Sequence, residues 1–359
     1  MVRLGPLILL GGMVALFACA RVLAAVLPGR EGWIGARALA HFIPIAAASL
    51  IAMLMGRPEI AIGIVFGTSV GAITMVVGFI ALSGPVEPGP ARGRRLWAFV
   101  LVAALIAFVA GFKGTLNWRD AVALLVEGLI LVSLWTDRSD PTDQGLRSAL
   151  DGAVGGLREQ AIALDYAAPS PREQWTSGRL LFLTVELALT AILLWLGGWA
   201  VTQGAVRTGT LFRGMATSAL AASVVSLAMV LPMMYGSWRL AAGGRGWAPV
   251  TAQVGVVLLN LCALLPVLIL LPYLAAHAPA VAHWAGDAMA WHAGLPRLLI
   301  YPAPVWRIDN VILIIMGVLL LPVALGKWSL GREEGMALIA GYFFYLTVVM
   351  ATGLNPSLR

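Results

Sequence analysis

Seven polar side chains stand where the surrounding sequence is almost wholly apolar: His41, Thr68, Ser69, Glu127, Glu186, Gln253 and Asn260. An ionisable group in such a setting is costly to keep and is therefore a functional candidate. His41 lies one turn before Pro44. As a neutral imidazole it could relay protons or contact a polar substrate, although a packed histidine with one hydrogen bond reads the same in sequence. Thr68 and Ser69 could offer hydroxyl oxygens to a ligand, or bond back to their own helix. Gln253 and Asn260 share one apolar run and could line a cavity or pair across helices. Glu127 and Glu186 must be protonated or paired if hydrocarbon surrounds them, which makes them candidates for a buried charge or a partner contact.

Other chemistry is poorly supported. His283 and Asp287 are four apart and could share a metal, but His277 and His292 fall off that face, so no metal site and no cofactor are expected. No Gly-rich phosphate loop, nucleophile triad, CxxC or HExxH occurs, and the chain is not expected to be an enzyme. The two cysteines, Cys19 and Cys262, lie inside apolar runs and read as buried small hydrophobes.

The elements that must position these residues follow from composition. The 359-residue chain is 60% hydrophobic and 11% charged, with mean hydropathy +0.90. That balance places it in a bilayer. Runs long enough to span, about 20 residues each, lie near 4–27, 34–55, 59–83, 95–113, 118–136, 179–203, 208–238, 248–275, 306–326 and 333–353. The first, opening MVRLGPLILLGGMVALFACA, has a signal-peptide look but runs past a short h-region and is read as a retained span. Net charge is +7. With the N-terminus outside, fifteen of the 24 Lys and Arg residues fall on the inner side and nine on the outer, with ARGRR at 91–95 contributing most. Both termini are therefore expected on the extracytoplasmic face, in what reads as a bacterial inner membrane. The charge reflects topology, and no nucleic-acid partner is implied.

The longest polar segment, 137–178, divides the chain into halves of five spans, 1–136 and 179–359. Within it Leu146, Leu150, Ala153, Leu157, Ala161 and Leu164 recur at helical spacing, which predicts a cytoplasmic amphipathic linker on the membrane surface. The halves are related. One constant shift carries Pro44 to Pro232, Ser49 to Ser237, Gly56 to Gly244, Arg57 to Arg245 and Gly67 to Gly255. An odd number of spans per half inverts the second half relative to the first, an architecture of many secondary transporters with a site at mid-membrane. Pro44 and Pro232, inside their spans, would free backbone carbonyls near that centre. An insertion at 276–305 carries Trp284 and Trp291 on one face and reads as an interfacial helix.

These residues carry a family resemblance. Segment 41–76, HFIPIAAASLIAMLMGRPEIAIGIVFGTSVGAITMV, resembles the α-repeat of the cation/calcium exchanger superfamily, with GRPEIAIG matching the family's turn. Segment 229–262 aligns as a degenerate second copy, keeping LP, a GR turn, Gly255 and Asn260. WRDA at 118–121 and REEG at 332–335 echo the family's start of the last helix in each half. The resemblance implies an all-α polytopic membrane protein of about ten helices in two inverted five-helix repeats. It also implies a central pair of glutamates, and here those positions are Ile45 and Met233. The family's Asn or Asp falls at Ser69 and Val257. Calcium needs 6–8 oxygen ligands, usually with carboxylates, so typical calcium or sodium exchange is not expected. The expected function is a secondary transporter with an altered substrate. Its path candidates are His41, Pro44, Thr68, Ser69, Pro232, Gln253 and Asn260. A non-transporting subunit or scaffold, partnered by another membrane protein or a second copy, is the alternative.

Overall fold

In the computed structural model the described residues are 4–26, 34–87, 91–112, 115–136, 177–212, 216–241, 246–277, 299–300 and 303–354. They fall into two units, Met1–Leu131 with Thr190–Arg359, and Val132–Leu189. The helices are α1 (Gly5–Val26), α2 (Ile34–Leu54), α3 (Pro58–Gly71, a π turn Ala72–Val76, then Val77–Ser83), α4 (Ala91–Gly111) and α5 (Trp118–Thr136). After them come α6 (Ser177–Leu211), α7 (Thr217–Leu220, a π turn Ala221–Val225, then Ser226–Ala241) and α8 (Trp247–Leu259, a π turn Asn260–Leu264, then Leu265–His277). The last two are α9 (Ala303–Ala324) and α10 (Arg332–Leu354). Two short strands, β1 (Thr115–Leu116) and β2 (Leu299–Ile300), pair antiparallel.

Seven of these helices are long and apolar enough to cross a membrane. Two more, α1 and α4, carry shorter apolar stretches, Gly5–Ala20 and Leu96–Gly111. Large apolar side chains point outward along them, among them Leu7, Val109, Leu129 and Phe344. Such faces are tolerable only against lipid or another apolar surface. The chain is a polytopic, helical, integral membrane protein.

The GRPE stretch forms a tight helix–helix turn. Gly56 adopts φ +68, and Arg57 N–H reaches back to the Ala52 carbonyl while Gly56 N–H bonds Met53. This is a Schellman closure, which satisfies carbonyls left open at the end of α2. Pro58 then opens α3, where its missing N–H is no loss. Glu59 sits in that first turn, favourable to the helix dipole, and also accepts a hydrogen bond from Thr217 Oγ1 at 3.3 Å.

Helix α3 is the core: its span is 94% buried, against 22% for that of α6 and 28% for α10. Small residues make this possible. Gly63, Gly67 and Gly71 form one face four residues apart, and each abuts α7. Gly63 lies against the Ser218 carbonyl, Gly67 against Ala222 and Ser226, and Gly71 against Val230. Where the π turn of α7 widens the helix, Ser226 Oγ donates to the Ala221 carbonyl five residues back at 2.6 Å. Single π turns of this kind recur at functional positions in helices.

Two boundaries differ from the sequence expectation. Helix α6 continues to Leu211 instead of ending near 203, and α7 starts at Thr217 instead of 208. Close packing against α1 carries α6 onward, with Gly204 against Leu9 and Gly5 against Arg207. The expected linker helix falls on residues 137–176, outside the described ones. Arg245, His283, Trp284, Asp287, Trp291 and His292 also lie outside the described residues.

Candidate substrate site at the crossing of α3 and α8

Helices α3 and α8 bring three of the expected residues together. Asn260 Nδ2 donates to Thr68 Oγ1 at 3.2 Å and to Ser69 Oγ at 3.1 Å. All three residues are fully buried. Thr68 Oγ1 gives its own proton to the Ile64 carbonyl at 2.6 Å, and Ser69 Oγ gives its own to Val65 at 2.6 Å. With both hydroxyl protons committed to α3, only the NH2 end of the amide can bond them. Asn260 Oδ1 is then left as a buried acceptor without a hydrogen-bond partner. Asn260 is the first residue of the α8 π turn, and Thr68 and Ser69 lie just before the α3 π turn. The centre thus offers hydroxyl and amide oxygens beside two widened helical turns.

Among the described residues no acidic side chain is hydrogen-bonded to Thr68, Ser69 or Asn260. The positions of the family glutamates, Ile45 and Met233, are buried apolar side chains. Among the described residues no group of three His, Cys, Asp or Glu could hold a metal.

His41 lies elsewhere, on a small cavity shared with Phe17, Pro44, Ile45, Met229 and Pro232. The two prolines expected to break their helices therefore line one cavity. Its volume of about 10 Å³ is close to what a single water needs. His41 Nδ1 is buried without a hydrogen-bond partner.

Gln253 and Glu127 do not join either place. Gln253 Nε2 donates to Ser237 of α7 at 3.0 Å, a helix–helix contact. Glu127 on α5 is 5% exposed. Its two carboxylate oxygens make no hydrogen bond of good geometry, and the Cys262 thiol lies beside them. Glu186 lies in the unit Val132–Leu189.

A second buried polar group escapes the sequence expectation. Asp309 and Asn310 of α9 are fully buried. Tyr345 of α10 donates to Asp309 Oδ1 at 2.9 Å, and Asn310 Nδ2 to the Trp306 carbonyl at 2.9 Å. Tyr342 stacks on Tyr345 with centroids 6.0 Å apart, and its hydroxyl lies near Gly71 on the inner face of α3. The sequence signal was an ionisable residue three places inside the expected 306–326 span.

Helices carrying π turns around a buried polar crossing define a polytopic helical membrane protein with a polar seam between α3 and α8. Residues 3–135 match the family model described as sodium/calcium exchanger protein. The whole chain is similar in fold to the H+/Ca2+ exchanger CAX, with 16% identity, 98% of this chain and 86% of that one covered, and TM-score 0.65. It is likewise similar to the sodium-calcium exchanger NCX_Mj in a crystal soaked with Na+ and Sr2+, with 19% identity, 97% and 99% covered, and TM-score 0.57. No curated protein matches the chain. The family match covers residues 3–135, and the likeness to the solved exchangers across the rest of the chain is one of fold.

Proposed function

We propose that this chain is a secondary transporter of exchanger fold whose substrate is a small solute carrying at most one charge, or one moved with protons. The observation that carries the reading is the Thr68–Asn260–Ser69 crossing. It occupies the middle of two broken helices yet holds only neutral oxygen donors. Such donors suit a singly charged or polar solute. They leave a divalent ion without the carboxylates that usually neutralise it. The fold neighbours support transport: one is described as a sodium-calcium exchanger and the other as an H+/Ca2+ exchanger. Two inverted five-helix halves, 1–136 and 179–359, fit the reading. The shift from Pro44 to Pro232 carries α2 onto α7, and α3 onto α8. On the Lys and Arg distribution, both termini face outward from a bacterial inner membrane.

One specific observation favours the alternative of a non-transporting membrane subunit. Both central hydroxyls are spent on protein hydrogen bonds, and the His41 cavity holds about one water.

A flux screen in proteoliposomes separates the two, using sodium, potassium, calcium and protons as probes. The transporter reading predicts flux of a monovalent ion or of protons, reduced in Asn260→Leu. No flux of any probe, together with stable co-purification of a second membrane protein, would favour the subunit.

A further inference from the structure

We propose that Asp309, Tyr345 and the Ala222 carbonyl form a seat for an alkali cation between α7, α9 and α10. The seat is separate from the α3–α8 crossing. The assignment does not depend on which solute is moved, or on whether one is.

Three helices bring oxygens together here. The Tyr345 hydroxyl of α10 lies 2.9 Å from Asp309 Oδ1 of α9 and 3.5 Å from the Ala222 carbonyl of α7. Asp309 and Tyr345 are fully buried. Ala222 belongs to the Ala221–Val225 π turn. Such a turn shifts carbonyls out of the regular helical ladder, and carbonyls at breaks in membrane helices are suited to hold sodium. A further hydroxyl stands beside the group. Tyr342 stacks on Tyr345 with centroids 6.0 Å apart. Its hydroxyl is buried and, among the described residues, has no hydrogen-bond partner. Gly71 lies beside that hydroxyl, and Gly67, one turn along α3, lies against the Ala222 carbonyl. Both phenols therefore reach toward one glycine face of α3.

The chemistry of this oxygen set suits an alkali ion. A carboxylate inside a span is characteristic of ion-binding positions. One carboxylate among neutral oxygens balances one positive charge. Calcium would keep half of its charge uncompensated and needs about 6–8 oxygens. Tyr345 keeps its proton on Asp309 Oδ1, and its oxygen lone pairs remain for the ion. The unpartnered Tyr342 hydroxyl is costly to bury, and an ion beside it would take up a lone pair. Because the ligands come from α7, α9 and α10, a bound ion would hold the three helices together. Binding should therefore stabilise the fold.

Thermal unfolding of the full-length protein in detergent tests the seat. Sodium chloride or potassium chloride is titrated against choline chloride at constant ionic strength. The thermal midpoint should rise saturably with sodium, with potassium or with both. Asp309→Asn, almost unchanged in shape, should abolish the rise. Tyr345→Phe should raise the half-saturating concentration about fivefold. Asn260→Leu should leave the rise intact, which separates this seat from the crossing and from the transport reading. No alkali-dependent rise in the wild type would overturn the assignment. So would a rise that Asp309→Asn retains, or one that Asn260→Leu removes. If Asp309→Asn does not fold, the same titration of Tyr345→Phe decides, and a half-saturating concentration equal to the wild type's would overturn the assignment.

Discussion

Asn260 is where the account makes its sharpest claim about a single side chain. The two hydroxyls it bonds have already given their protons to α3. Removing the amide therefore leaves no buried donor stranded. Replacing Asn260 by Leu, similar in size and apolar, also removes the lone Oδ1 acceptor. Stability should change by less than about 1.5 kcal/mol, read as a small shift in thermal midpoint in detergent. Substrate affinity should fall about fivefold if the solute uses one hydrogen bond of about 1 kcal/mol to the free Oδ1. A purely structural Asn260 would show the opposite split. The polar residues themselves were legible as interruptions in apolar runs, because water is absent there. Their pairing was not, since Asn260 and Thr68 are 192 positions apart and only the folded crossing joins them. Ile45 and Met233 were legible at once, through the motif they interrupt. Asp309 was harder, because near the start of a span a carboxylate reads as an interfacial residue.

At the scale of elements, two glycines make opposite kinds of demand. Gly56 needs left-handed backbone, so Gly56→Ala should cost about 1–2 kcal/mol. Its side has open space, since nothing lies within 4 Å of an added Cβ. Gly67 has ordinary helical backbone but no room. A methyl there meets the Ser226 hydroxyl and the Ala222 carbonyl, and Gly67→Ala should cost about 1–3 kcal/mol by forcing α3 from α7. Gly11→Ala, helical and open, serves as the control and should be neutral or stabilising by up to about 1 kcal/mol. Thermal midpoints of the three variants check the set. The turn at Gly56 and Pro58 was legible because its chemistry is local. The π turns were not, because nothing in the immediate sequence of 72–76, 221–225 or 260–264 distinguishes them from regular helix; each depends on the neighbour packed across it.

For the whole molecule, the fold is that of proteins described as calcium exchangers, while the centre lacks their expected charge. Composition and apolar runs were enough to read a polytopic helical membrane protein, because hydrocarbon allows so few backbone solutions. The substrate is a different matter, since it is decided by a few side chains that no periodicity marks. Sodium-gradient-driven uptake of radiolabelled calcium into proteoliposomes tests the central claim most directly, run beside Asn260→Leu and His41→Ala. The account predicts uptake at the level of empty vesicles for all three proteins, while the wild type still moves a monovalent ion or protons. Calcium uptake by the wild type that either substitution abolishes would contradict it.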